Sequence, residues 1–128
     1  MPLATLFPPT RAATSTPAAL PGRYRWVETS TATGDTITPR QADAFVLLLQ
    51  ENNDLTMTTD CNRIGGRYTY ARSGRFVVTE LSMTEMGCPN AQDTVVADML
   101  STVTGYELRD TTLTFTLAGD GRMRLVRE

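Results

Sequence analysis

The chain has 128 residues, 41% hydrophobic and 20% charged, the composition of one globular domain and not of a disordered polyelectrolyte. Twelve basic against fourteen acidic residues leave a formal charge of −2 and a pI near 5.1, so there is no overall positive field to hold nucleic acid or an anionic membrane. All the basic residues are Arg and histidine is absent, which excludes a Schiff-base lysine, a Ser-His or Cys-His catalytic pair and an imidazole metal ligand.

Five of the seven prolines fall within the first 21 residues, among Ala and Thr and with almost no charge. Such a composition predicts a tether over residues 1–22, extended by its prolines, or else a terminus of no consequence, ahead of a domain at 23–128. Met1-Pro2-Leu3-Ala4-Thr5-Leu6-Phe7-Pro8-Pro9 has no basic region and its apolar stretch is broken by proline, so it does not read as a secretory signal. Two origins remain open, a cytosolic protein or a chain that starts after a leader. No run approaches the roughly 20 apolar residues of a membrane-spanning helix.

From Tyr24 onward short alternating runs rich in threonine predict strands at 24–29, 44–50, 55–59, 66–71, 75–81, 105–109, 112–118 and 122–127. Asn52-Asn53-Asp54, Ser73-Gly74, Asp110-Thr111 and Gly119-Asp120-Gly121 stand between them where hairpins would reverse. Period-two sets such as Leu113/Phe115/Leu117, Met123/Leu125, Tyr68/Tyr70 and Phe76/Val78 give each strand one buried face. Between Pro89 and Gly105 the period changes. Val95, Val96, Met99, Leu100 and Val103 line one face of a helix near residues 91–104, with Asn90 and Asp93 as its capping pair and Gly105 as its stop. The class is therefore mainly β, about eight short antiparallel strands with one helix across a bent sheet or closing the end of a barrel.

Few residues offer chemistry. Asp60, Glu80 and Glu85 flank the cysteine segments, but their spacing matches neither a calcium loop nor a glycosidase pair, and solvated strand-end carboxylates are the simpler reading. Arg63-Ile64-Gly65-Gly66-Arg67 is an anion-binding backbone or, by preference, a tight turn needing positive φ. Met83 and Met86 beside Cys88 offer soft ligands for Cu(I), yet methionine pairs more often fill a core. Trp26 reads as a core anchor. Cys61 and Cys88 are two reduced thiols or one disulfide, which would add about 3–4 kcal/mol on the chain-entropy account.

Taken as a set, Trp26, the run Thr59-Asp60-Cys61-Asn62-Arg63-Ile64-Gly65-Gly66-Arg67-Tyr68, the run Leu81-Ser82-Met83-Thr84-Glu85-Met86-Gly87-Cys88-Pro89, the helix and Val103-Thr104-Gly105-Tyr106-Glu107-Leu108 resemble the META domain of the heat-shock protein HslJ family. The resemblance covers residues 24–128. It implies a small lipocalin-like partial barrel with one helix and a Cys61–Cys88 disulfide. Trp26, Asn62, Gly65, Tyr68, Thr84 and Met86 are its motif residues, in structural roles. It carries over no catalytic, cofactor-binding or metal-binding residue. Asp60 stands where the family usually has Gly and Glu85 where it often has Arg, so a shared anion site at Glu85 is not expected.

The resemblance further implies an extracytoplasmic address, periplasmic or outer-membrane-associated, with a lipid anchor upstream of this chain. The expected function is that of a non-enzymatic envelope module, a monomer acting through protein partners in stress response, antibiotic tolerance or outer-membrane integrity. The alternative is a carrier of a small apolar ligand in a barrel cavity, although some 105 residues make a small core that side chains readily fill. An enzyme is a third class, least remotely through thiol chemistry at Cys61.

Overall fold

The structure, a computed structural model, describes residues 19–128, so most of the segment read as a tether lies outside the described residues. Its elements are β1 (Gly22–Ser30), β2 (Thr36–Ile37), β3 (Val46–Leu49), β4 (Asp54–Thr58), β5 (Arg63–Tyr70), β6 (Phe76–Met83), α1 (Asp93–Ser101), β7 (Val103–Arg109), β8 (Thr112–Leu117) and β9 (Arg122–Arg127). Alternation builds the strands: in β8 Leu113, Phe115 and Leu117 are buried while the threonines between them are half-exposed, and Met123 and Leu125 repeat this in β9. All eight expected strands are present. The two-residue β2, too short to show a period, was not legible.

The strands form one antiparallel sheet in the order β6-β5-β4-β3-β1-β9-β8-β7, with β2 paired to the end of β1. The sheet curls until its edge strands meet at one seam, a single bridge between Arg75 and Gly105 beside the bond from Tyr106 N–H to the Gly74 carbonyl at 2.8 Å. The result is the partial barrel expected. Its inside is filled by side chains. Trp26 packs edge-on to Phe45 at 5.1 Å, and Tyr68, Phe76 and Phe115 form a ladder with centroids 5.4 and 4.8 Å apart.

Helix α1 lies toward the Ser30 end of β1, packs against β6 and sends Val96, Met99 and Leu100 into the core. It is shorter than expected because residues from Val103 onward pair with β8 instead. Its caps are also not the local ones. Asn90 stands outside the helix at φ 63, the N-cap is Gln92 without a side-chain cap bond, and Gln92 N–H bonds the Asp60 carboxylate at 2.9 Å. Gly105 is no helix stop. It sits in β7 where a Cβ would meet the Gly74 carbonyl at 2.9 Å, so its bare backbone is what lets the seam close.

At the other end of β1, Leu20 is buried, so the packed body begins ahead of residue 23. Tyr24 Oη donates to the Leu20 carbonyl. The Arg127 guanidinium stacks 5.0 Å from the Tyr24 ring and bonds the Ala19 carbonyl.

The Gly65-Gly66 pair is not a turn. Both glycines lie inside β5, paired to β6 through a bulge in which Glu80 takes φ 56. That bulge presses the Thr79 carbonyl toward Gly66, where a Cβ would lie 2.9 Å from it and 3.1 Å from Leu81 Cδ2. Gly66→Ala should therefore destabilise by about 2 kcal/mol. Gly65→Ala, whose new carbon would meet nothing nearer than Ser82 Oγ at 3.8 Å, should cost much less. Paired urea titrations check the difference, and equal costs would refute this account.

Candidate functional site

Apart from Gly65, which lies within β5, the motif residues separate into two groups. Trp26 and Tyr68 belong to the core: Trp26 Nε1 donates to Thr29 Oγ1 at 3.0 Å, and Tyr68 Oη donates to the Gln50 carbonyl at 2.6 Å. Burial first, then the neighbouring Tyr70, Tyr24 and Glu51, push the Tyr68 phenol up to about 12. Asn62, Thr84 and Met86 meet elsewhere, where the β4–β5 turn faces the segment between β6 and α1.

The second group is built around one amide. Thr59 Oγ1 donates to the Asn62 carbonyl and accepts from Cys61 N–H at 3.1 Å, which folds the turn and drives Asn62 inward to 5% exposure. Asn62 Nδ2 donates to Asp93 Oδ2 at 2.8 Å and to the Met86 carbonyl at 3.0 Å, while Oδ1 accepts from Met86 N–H at 2.7 Å and Thr84 Oγ1 at 2.9 Å. Two donors and two lone pairs are all in use, and no other side chain of this size offers both kinds in that fork. Beside the amide, Cys61 and Cys88 are bonded, with Cα atoms 6.0 Å apart. Arg63 N–H donates to Thr84 Oγ1 at 3.0 Å, closing the group.

Asp93 opens helix α1 under this hub. Burial pushes its carboxyl up, but hydrogen bonds from the Asn62 side chain and from the Thr94 and Asn62 N–H groups outweigh it, and the net shift is downward. A carboxyl lowered by folding stabilises the fold above the ordinary carboxylate value of about 4, and this contribution is lost as pH falls through the folded value. Asp93→Asn should accordingly lower the melting temperature at pH 7 and shrink the gap to wild type below about pH 4. Thermal scans across that range are the check, and a gap that widened in acid would contradict it.

Two residues without a sequence-predicted role matter here. Asp60 is no solvated strand-end group: one carboxylate oxygen receives Gln92 N–H, and the other is buried without a hydrogen-bond partner among the described residues. Gln92, not singled out at all, bonds Arg40 N–H and the Thr38 carbonyl, each at 2.9 Å, fastening the β2–β3 connection to the start of α1. Its only advance signal was a long polar side chain just ahead of an apolar helical face.

Two apolar readings are corrected. Met86 is not core filler but 60% exposed, because its backbone is held by Asn62 and its side chain is left outside; Met83 packs partly against the core. Tyr70 does not share the burial of Tyr68. It is 43% exposed at the rim, stacked on Tyr68 at 6.1 Å and edge-on to Tyr106 at 5.7 Å. Around Tyr70, Arg72 and Tyr106 lies an open hollow of about 570 Å³. An apolar groove of about 370 Å³ runs between α1 and the β1–β2 turn, lined by Ile37, Val95, Met99 and Leu117. Among the described residues no three His, Cys, Asp or Glu side chains converge, and no helix is long and apolar enough to cross a membrane.

A META domain family model matches residues 18–128. In fold the chain is similar to a protein from Burkholderia xenovorans solved by NMR, at 19% identity, with a TM-score of 0.70 over 84% of this chain and 81% of that one. It is also similar to a DUF4847 family protein from Bacteroides vulgatus, at 9% identity, with a TM-score of 0.65 over 84% of this chain and 92% of that one. A third NMR structure, 20% identical, gives 0.58 over 83% and 88%. At these identities the likeness is one of fold. No curated protein matches the sequence significantly.

Proposed function

The chain belongs to the META domain family, and from that premise we propose that it is a non-enzymatic extracytoplasmic module, periplasmic or outer-membrane-associated. It acts through protein partners in stress response, antibiotic tolerance or outer-membrane integrity. The observation that carries this reading is the Met86 loop: a large apolar side chain held out in solvent by a backbone that Asn62 and the disulfide fix in place. A preorganised exposed anchor loses little entropy on docking, which is what a protein-binding surface needs. The disulfide supports the address, since such bonds persist in oxidising compartments.

Deleting the gene should lower tolerance to heat and to hydrophobic antibiotics, with wild type restoring it and Met86→Asp failing to do so at unchanged thermal stability. Unaltered tolerance in the deletion strain would sink the proposal. The carrier reading keeps one observation in its favour, the apolar groove with half-exposed Val95 beside α1. The barrel interior speaks against a lumen, being occupied by Trp26, Tyr24, Tyr68, Phe45, Phe76 and Phe115. A native mass spectrum of protein from its own host separates the two readings: added mass that departs on denaturation favours the carrier, bare protein the partner module.

A further inference from the structure

Cys88 is exposed in the segment between β6 and α1, whereas Cys61 is half-buried in the β4–β5 turn. Neither sulfur belongs to the core, and the segment they tie is also held without sulfur. Asn62 takes both the N–H and the carbonyl of Met86, Thr84 N–H bonds the Arg63 carbonyl at 3.1 Å, and Gln92 N–H bonds Asp60. Cys61 Sγ lies 3.6 Å from the Met86 carbonyl oxygen, so a thiol formed there has an acceptor at hand.

We propose that Cys61–Cys88 is a thiol–disulfide exchange site of the native protein, attacked at Cys88, the more exposed residue of the pair, by an external dithiol of the thioredoxin type. The incoming thiolate forms a bond to Cys88 Sγ, the Cys61–Cys88 bond breaks, and Cys61 leaves as a thiolate that takes a proton from solvent. The reductant's second thiol, once deprotonated, attacks its own sulfur in the mixed disulfide and expels the Cys88 thiolate, which is protonated in turn. The pair gains two electrons and two protons, and the dithiol becomes a disulfide. Attack on Cys61 is hindered by its burial in the turn. The reduced protein keeps the Asn62 hub, so the change is confined to the covalent tie between residues 61 and 88. This holds whether or not Met86 docks a partner.

The full chain treated with dithiothreitol in the absence of denaturant should be reduced at a rate linear in reagent and insensitive to 1 M urea. Near-UV circular dichroism should persist, and new amide exchange should be limited to about residues 87–91, with the Thr84 and Met86 N–H groups still protected by Arg63 and Asn62. A rate that saturates with reagent and climbs with urea would mean that the sulfurs are reached only through unfolding, which overturns the proposal. A thioredoxin-type protein lacking its resolving cysteine should be trapped on Cys88 by peptide mapping. Trapping on Cys61, or none, overturns it as well. The double variant Cys61→Ser with Cys88→Ser should match the reduced protein in spectrum and exchange, and an unfolded double variant would contradict the claim that the hub suffices.

Discussion

Asn62→Ala is expected to lower stability by about 3–4 kcal/mol, read as a fall in the urea midpoint. Alanine deletes four side-chain hydrogen bonds and leaves Met86 N–H and the buried Asp93 carboxylate short of partners. An unmet buried group costs more than an ordinary hydrogen bond contributes, and a typical domain has only about 5–15 kcal/mol in all. Asn62→Asp sharpens the test. It keeps the shape but sets a second carboxylate against Asp93 Oδ2, where Asn62 Nδ2 now lies at 2.8 Å. It should be at least as damaging at pH 7 and partly recover near pH 4, as one of the facing carboxylates takes a proton. A loss under 1 kcal/mol for Asn62→Ala would show that the disulfide alone secures the segment.

Trp26→Ala should be the costlier core change, about 4–5 kcal/mol, enough to lower the melting temperature by of order 20 °C in a domain of this size. Trp26 is fully buried against Phe45, and its indole N–H begins a relay: Trp26 Nε1 to Thr29 Oγ1 at 3.0 Å, then Thr29 Oγ1 to Met99 Sδ at 3.2 Å on α1. Trp26→Phe refills most of the volume but breaks the first link, so it should cost about half as much while raising amide exchange in α1. Exchange that rose evenly over the whole sheet would mean the relay does not couple β1 to the helix.

The strands were legible because alternation is a local property: the Leu113/Phe115/Leu117 face is visible within six residues and is buried as expected. The helix was legible in kind but not in its ends. Its N-terminal bond comes from Asp60 and its C-terminal limit from pairing with β8, both remote in sequence. The double glycine misled for a related reason. A turn and a tight crossing of strands both call for the absence of Cβ, and only the bulge at Glu80 decides between them. Of the hub, Asn62, Thr84 and Met86 were named through the resemblance and Asp93 only as a helix cap, but Asn62 as its centre, Asp93 as its floor and the exposure of Met86 depend on a meeting of turn, loop and helix that no single segment encodes.

The central place of β1 in the sheet bears on how the chain must fold. Among the described residues the first strand is hydrogen-bonded on one side to β3 and on the other to β9, the last, with Tyr24 opposite Arg127. A chain still missing its final residues therefore has β1 with an open flank and half a barrel without its closing wall. Contacts of this sequence separation are slow to form, on the order of milliseconds to seconds. During that interval the backbone N–H and C=O groups on the β9 side of β1 are unpaired, an open edge on which another chain could add a strand until β9 covers it.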